Sequence, residues 1–357
     1  MLRFIGIGIS FKSMSVHALS VLSKCDLVYL DTFTGFVSDE DVEELNALSN
    51  SHGLKINVRR AKRWFIEDGR EILEQAQKID LAILTYGDPF IATTLTELYI
   101  RAIKKSIAVE IIHGVSGITS LIGEVGLHIY KFGKIVTITS EPPSRFSVYS
   151  TTYENLMNKN HTLILTESDS QPSGHFFLDP NWALQVMLRT EDEFGRNVFL
   201  EKTFAVVLSR VGSPFQRIVS GSIKSLRSVY YGSGPHSIII TGGLHFTEFD
   251  ALITLTRNLD EPIDNTKYIR KIPADLISRY APKARETLST MRRAIEPDNC
   301  RFRRDLVLGT LFNAECYIND AENLLEQGKP ELAIFSIGYA EGLIDAVGLS
   351  KGIVRSI

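Results

Sequence analysis

A chain of 357 residues with 44% apolar and 23% charged side chains has the makeup of an ordinary globular protein, with room for two or three domains. Its formal charge of −3 excludes a global basic field, so nucleic acid is not an expected partner. The three cysteines, Cys25, Cys300 and Cys316, are odd in number and lack metal-ligand spacing, which excludes a disulfide frame and points to reduced thiols in the cytoplasm. No apolar run approaches the ~18 residues of a membrane span, and Met1-Leu2-Arg3-Phe4-Ile5-Gly6 enters a strand without the parts of a signal peptide.

Over the first 112 residues, short apolar runs alternate with amphipathic stretches, as in a mostly parallel sheet with crossover helices. Strands are predicted at 2–9, 27–30, 55–58, 81–84 and 109–112. Helices are predicted after Ser15, with Val16, Leu19 and Leu22 on one stripe, and at 71–78 and 94–104. A second α/β lobe with a mixed sheet is predicted over 113–252, with strands at 135–138, 162–165, 204–208 and 237–240 and a helix at 182–188. After the polar linker Asn258-Leu259-Asp260-Glu261-Pro262, β-rich runs cease. Residues 268–357 read as an antiparallel helical bundle, with helices at 275–294, 305–326 and 331–347. Leu332, Phe335, Tyr339 and Leu343 share a face of the last one. Gly328 suits a helix C-cap, and Pro330 suits the first turn that follows.

Three glycine-bearing turns carry the candidate chemistry. Gly6-Ile7-Gly8-Ile9 closes the first strand. A dinucleotide turn wants a third glycine or alanine at position 11, which here is Phe11, although Asp31 stands where a ribose-binding acid would. The alternative is that these glycines let a flat ligand lie against backbone. In Thr85-Tyr86-Gly87-Asp88-Pro89-Phe90-Ile91-Ala92-Thr93-Thr94, a buried strand empties into a turn where ligands of open α/β sheets bind. Asp88 either accepts hydrogen bonds from such a ligand or shapes an Asp-Pro turn at a helix start. His113-Gly114-Val115-Ser116-Gly117-Ile118-Thr119 follows another strand and can offer main-chain groups to an adenine or a carboxylate. Its glycine spacing does not fit a serine nucleophile elbow. His113, His128, His236 and His245 show no paired ligand spacing and read as structural.

The order Gly-Ile-Gly, Gly-Asp-Pro-Phe, Gly-Val-Ser-Gly-Ile-Thr resembles the tetrapyrrole-methylase superfamily. Within it, Gly126-Leu127-His128-Ile129-Tyr130-Lys131-Phe132-Gly133-Lys134, His161-Thr162-Leu163, Gly234-Pro235-His236 and Gly243-Leu244-His245 are similar to the diphthine synthases, over about residues 1–252. The resemblance implies a two-lobed α/β fold holding S-adenosyl-L-methionine in the inter-lobe cleft, plus the C-terminal all-α bundle. It implies cofactor contacts at Ile9, Asp88, Ile91, Ser116, Gly117, Thr166, Val211 and His236. The serine loop is one residue longer than is usual in the family, so either Gly117 or Ile118 is the second contact there. Ser168 to Pro180 also departs from the family's pattern.

The implied reaction is successive N-methylation of a 3-amino-3-carboxypropyl-histidine on translation elongation factor 2, by a homodimer. Positioning dominates and bulk water takes the proton, so no catalytic residue is named. A corrin or porphyrin methyltransferase and a non-catalytic binding scaffold are the competing readings. The helical tail, through Ala314-Glu315-Cys316-Tyr317 and the run from Ser336 to Ala346, resembles an uncharacterised archaeal helical domain. Its arginines Arg292, Arg293, Arg301, Arg303 and Arg304 form either a solvated face with ordinary ion pairs or a grip for an acidic partner or RNA.

Overall fold

The computed structural model describes residues 1–33, 42, 43, 45, 47, 56–171, 174–295 and 301–350. The chain divides into two compact units, Met1–Ile269 and Arg270–Ile357. Lys55 and Cys300 lie outside the described residues, as do the side chains of Arg301, Arg303 and Arg304.

The first unit begins with a five-stranded sheet built from β1 (Leu2–Gly6), β2 (Leu27–Asp31), β3 (Val58–Ala61), β4 (Leu81–Thr85) and β5 (Val109–Ile112). Its order is β3-β2-β4-β1-β5 and every pairing is parallel. A parallel sheet needs cover on both faces, and β1 shows how that is met. Leu2 and Phe4 point into one apolar cluster and Ile5 and Ile7 into another, by the two-residue alternation of a strand. Helices α1 (Val16–Leu22), α2 (Arg63–Asp68), α3 (Arg70–Ala76) and α4 (Leu95–Lys104) connect the strands. Ser15 caps α1, its hydroxyl accepting from Ala18 N at 3.1 Å. The first strand is shorter than predicted, ending at Gly6, because Gly8 turns the chain with φ of 83°. The third strand lies later than predicted, at Val58–Ala61.

After α5 (Gly117–Glu124) comes a six-stranded mixed sheet of β6 (Val136–Ile138), β7 (Thr162–Thr166), β10 (Phe204–Ser209), β11 (Arg217–Ser222), β12 (His236–Ile240) and β13 (Arg257–Asn258). The order is β13-β11-β10-β12-β7-β6, with β10 antiparallel to both its neighbours and β6 parallel to β7. Packed on it are α6 (Pro142–Met157), which sequence reasoning did not predict, and α7 (Pro180–Phe194), about twice its predicted length. The stretch that departs from the family forms a hairpin, β8 (Ser168–Gln171) with β9 (Gly174–Phe177). Helices α8 (Ile223–Leu226) and α9 (Phe246–Leu255) complete the unit.

The second unit holds α10 (Ile272–Ile295), α11 (Arg301–Glu326) and α12 (Pro330–Ser350). Its core draws Ala333, Ile337, Ala340, Ile344 and Val347 from α12. The face named from the sequence is a different one: Leu332, Phe335 and Tyr339 are exposed, and only Leu343 is packed against the core. The opposite face, where alanines are interspersed with Ile337, Ile344 and Val347, makes the true helix contact, and its alanines let α12 approach its neighbours closely. The absence of a membrane-length apolar segment also needs correcting. By length and composition Pro330–Ser350 would suffice, although one of its faces is already buried among α10 and α11. Arg292 is paired with Glu315 at 2.8 Å, an ordinary ion pair between helices.

Candidate functional site

β4, β1 and β5 are neighbours, and the turns that follow them leave one carboxyl edge of the sheet. Backbone packs against backbone there. Gly8 N donates to Gly87 O at 3.1 Å, and Gly87 N returns a bond to Gly8 O at 2.9 Å. Both residues have positive φ, 83° and 70°, the conformation that favours glycine. The fit is tighter at the other two glycines. A Cβ on Gly114 would stand 2.3 Å from Gly87 O, and one on Gly6 would stand 2.6 Å from the same oxygen. The three motifs therefore form one assembly, and glycine is the residue that permits it.

Past this junction the chain borders open space. Gly117, the first residue of α5, would meet nothing within 4 Å of an added Cβ. Ser116 caps that helix, its hydroxyl accepting from Ile118 N at 3.3 Å. The opposite wall comes from the ends of β10 and β12 and the loop after Arg210. Gly212 (φ 85°) closes onto the first lobe: its Cβ would stand 2.7 Å from Ile9 Cδ1.

Between the walls lies a cavity of about 850 Å3, the size of a small-molecule site. Ile9, Ile91, Ser116, Gly117, Val211 and His236 line it, and so does Ile118. Asp88 and Thr166 stand behind the wall. Asp88 is buried; one carboxylate oxygen accepts from Phe90 N at 3.0 Å and the other lies 2.7 Å from His113 Nδ1. Asp88 thus ties the turn after β4 to the one after β5. Thr166 donates its hydroxyl to His236 O at 2.8 Å and so fixes the backbone of β12 at the wall.

The charged side chains on the wall are Lys12 and Arg210, and no carboxylate is among the lining residues. Arg210 has a φ of 52° and its buried Nε meets no hydrogen-bond partner among the described residues. Its guanidinium lies 5.8 Å from the Phe215 ring centroid. The His236 imidazole bonds Ser209 Oγ through Nδ1 at 2.8 Å. Burial pushes this imidazole down to about 4, and Arg210 reinforces the shift against the opposing pull of Asp179. It is therefore neutral at physiological pH. Among the described residues no cluster of His, Cys, Asp and Glu is arranged to hold a metal ion.

Several motif histidines belong elsewhere. Glu248 on α9 is fully buried and accepts from His161 Nε2 at 3.0 Å, His128 N at 2.9 Å and His245 N at 2.8 Å, and it pairs with Lys131. Gly242 N donates to His161 Nδ1 at 2.8 Å, so the Nε2 of His161 carries the proton. Burial alone would raise the Glu248 carboxyl, but the bonds from His161, Lys131, His128 and His245 hold it well below the carboxylate range. Gly133 packs on Asn155 of α6, whose side chain bonds Lys134 through both its N–H and C=O and reaches Thr162 Oγ1 at 3.0 Å. The segment from Gly126 to Lys134 is thus a lock joining β7, α6 and α9 through the buried side chains of Glu248, Asn155 and His161. Sequence reasoning missed Glu248, Asn155, Lys12 and Arg210. The signal for Glu248 was its place three residues after His245, a capping box with histidine at the cap.

Two glycine-built lobes around one cavity define a class, and comparison with known sequences agrees. Residues 1–227 match the family described as Tetrapyrrole (Corrin/Porphyrin) Methylases, and residues 279–351 match a protein family of unknown function, DUF357. The chain is 33% identical to a diphthine synthase of Staphylothermus marinus, over 79% of this chain and 98% of the relative. It is 35% identical to a diphthine synthase of Methanocaldococcus jannaschii, over 72% of this chain and 100% of the relative. A diphthine methyl ester synthase of Saccharomyces cerevisiae is 34% identical, over 68% and 84%. A crystal structure of a diphthine synthase superposes with a TM-score of 0.63 at 25% identity, covering 75% of this chain and 99% of that one. The chain belongs to the diphthine synthase family, and it is a methyltransferase.

Proposed function

We propose that the cavity binds S-adenosyl-L-methionine and that the enzyme methylates, in successive rounds, the amino group of a 3-amino-3-carboxypropyl-histidine on elongation factor 2. The product is the trimethylammonium diphthine, and an elongation-factor substrate puts the enzyme in the cytoplasm. The observation that carries this reading is the glycine junction, which leaves backbone open at Gly87, Ser116 and Gly117 on one side of a cavity of about 850 Å3. When bound, the cofactor supplies a methyl group already activated on a sulfonium.

The chain's own part is to bind, to orient and to adjust a proton. Ile9, Ile91 and Val211 give an apolar wall that keeps water from the reacting centre. Attack needs the neutral amine. Arg210 disfavours an ammonium beside it, as any like charge does in a low-dielectric site. The released proton then goes to water, with His236 too weak a base to hold it near neutrality. Arg210 would take the acceptor's carboxylate, its planar fork being suited to such a partner.

The deciding experiment is mass spectrometry of elongation factor 2 bearing the amino-carboxypropyl arm after incubation with enzyme and labelled cofactor. Methyl groups should appear stepwise on the arm. Transfer to a corrin or porphyrin instead, with none to the protein, would overturn the reading. Asp88→Ala should weaken cofactor affinity by about 10–100-fold, because it releases the charged hydrogen bonds to Phe90 N and His113 that hold the turns behind the cavity wall together. Unchanged calorimetric affinity would remove Asp88 from the site. Arg210→Met should raise KM for the modified factor about tenfold and move the alkaline rise of the rate to higher pH, because the amine loses a cationic neighbour. An unmoved profile and KM would refute that role.

A further inference from the structure

Helix α12 is apolar on two opposite faces, and its own unit covers one of them. On the other, Leu332, Phe335, Tyr339 and Leu349 are 54%, 74%, 50% and 78% exposed, and Gly342 and Ala346 are exposed between them. These six positions run along the helix at alternating spacings of three and four residues, the repeat of a coiled-coil seam. A contiguous exposed apolar stripe of this length marks an interaction surface. Insertion into a lipid bilayer does not supply its cover. Glu331, Glu341 and Asp345 ride on the same helix, and its inner face already packs on α10 and α11.

The sizes along the seam say what covers it. In chain order they run Leu, Phe, Tyr, Gly, Ala, Leu. Set against a reversed copy of itself, Leu332 meets Leu349, Phe335 meets Ala346 and Tyr339 meets Gly342. Every large ring then falls on a small residue, and an added Cβ at Gly342 would meet nothing within 4 Å in its own chain. A parallel copy would oppose Phe335 with Phe335 and Gly342 with Gly342, clashing at one level and gaping at the next. The flanking positions agree with the reversed pairing: Asp345 lies across from Ser336, a hydroxyl and not a like charge, and Leu343 lies across from Gly338. Tyr339 is held ready by an edge-on contact with Tyr317 of α11, ring centroids 4.7 Å apart. We infer that this face is an antiparallel, two-fold dimer seam formed with α12 of a second copy of the chain. It does not depend on what the methyltransferase unit binds, and the diphthine synthases compared above match the chain over no more than 79% of its length.

Cysteine trapping in the full-length chain tests it. Residues 332 and 349 lie about 25 Å apart along one helix, too far for a disulfide within a chain. In the Leu332→Cys, Leu349→Cys double variant, oxidation should convert most of the protein to a covalent dimer, whereas each single variant and the parent stay monomeric on a non-reducing gel. Adding Phe335→Asp, an exposed substitution that leaves helicity by circular dichroism unchanged, should abolish that dimer. A dimer from Leu332→Cys alone would mean a parallel pair and would overturn the proposal. So would the absence of any covalent dimer, or cross-linking of the thiol at position 332 to the chain's own first unit by a bifunctional thiol reagent.

Discussion

Gly114→Ala is expected to weaken S-adenosyl-L-methionine binding by about 10–100-fold, roughly the worth of displaced main-chain hydrogen bonds to a charged ligand. The added methyl would stand 2.3 Å from Gly87 O, 2.8 Å from Gly6 C and 2.9 Å from Gly6 Cα. All three are backbone atoms, so no side chain can rotate out of the way. The turns after β1, β4 and β5 must spread, and with them the wall formed by Ile9, Gly87 and Ser116. Overpacking of this kind also lowers stability by about 1–3 kcal/mol. Gly117→Ala separates the two effects. Its Cβ meets nothing in the protein, so the melting temperature should hold while a ligand lying on that backbone loses affinity. Calorimetry with the cofactor and a thermal melt of each variant give the four numbers needed. Wild-type affinity in Gly114→Ala would break the link between the glycine junction and the site.

That junction was legible before any coordinates, because three glycine motifs each followed an apolar run and strand ends of one sheet share an edge. The first strand was legible for the same reason, its apolar run being a local property, whereas the division of Leu2 and Phe4 from Ile5 and Ile7 between two clusters came with the fold. Helix α6 was not legible, since its sixteen residues are rich in serine, threonine and tyrosine, which give weak helix propensity and no clean stripe. Its evidence is tertiary: Asn155 must reach Lys134 and Thr162. The outward face of α12 misled for a related reason. Periodicity finds apolar stripes, and here two of them lie on one helix. Choosing between them required knowing that alanine and isoleucine fit the space beside α10 and α11. Arg210 carries no motif, and its place on the wall follows from the loop geometry between β10 and β11.

Glu248→Ala should destabilise the first unit by about 3–5 kcal/mol at neutral pH, the usual result of removing one partner from a buried charged pair. Lys131 would lose its counter-charge, and the N–H groups of His128 and His245, with the His161 ring, would lose their common acceptor. Glu248→Gln keeps the size but lacks the charge, so it should recover only a part. The pH dependence follows from the depressed folded-state carboxyl. An unfolded glutamate titrates near 4.3, so this stabilisation is fully present above that value. It is lost as pH falls below it toward the folded value. Parent and Glu248→Gln should therefore differ most at pH 7 and converge as the medium becomes strongly acidic. Urea unfolding followed by tryptophan fluorescence reads this cleanly, because both tryptophans, Trp64 and Trp182, belong to the first unit. A constant gap between the two across the acid range would mean that Glu248 acts through packing and not through its charge. The family's signature histidines would then owe their place to shape.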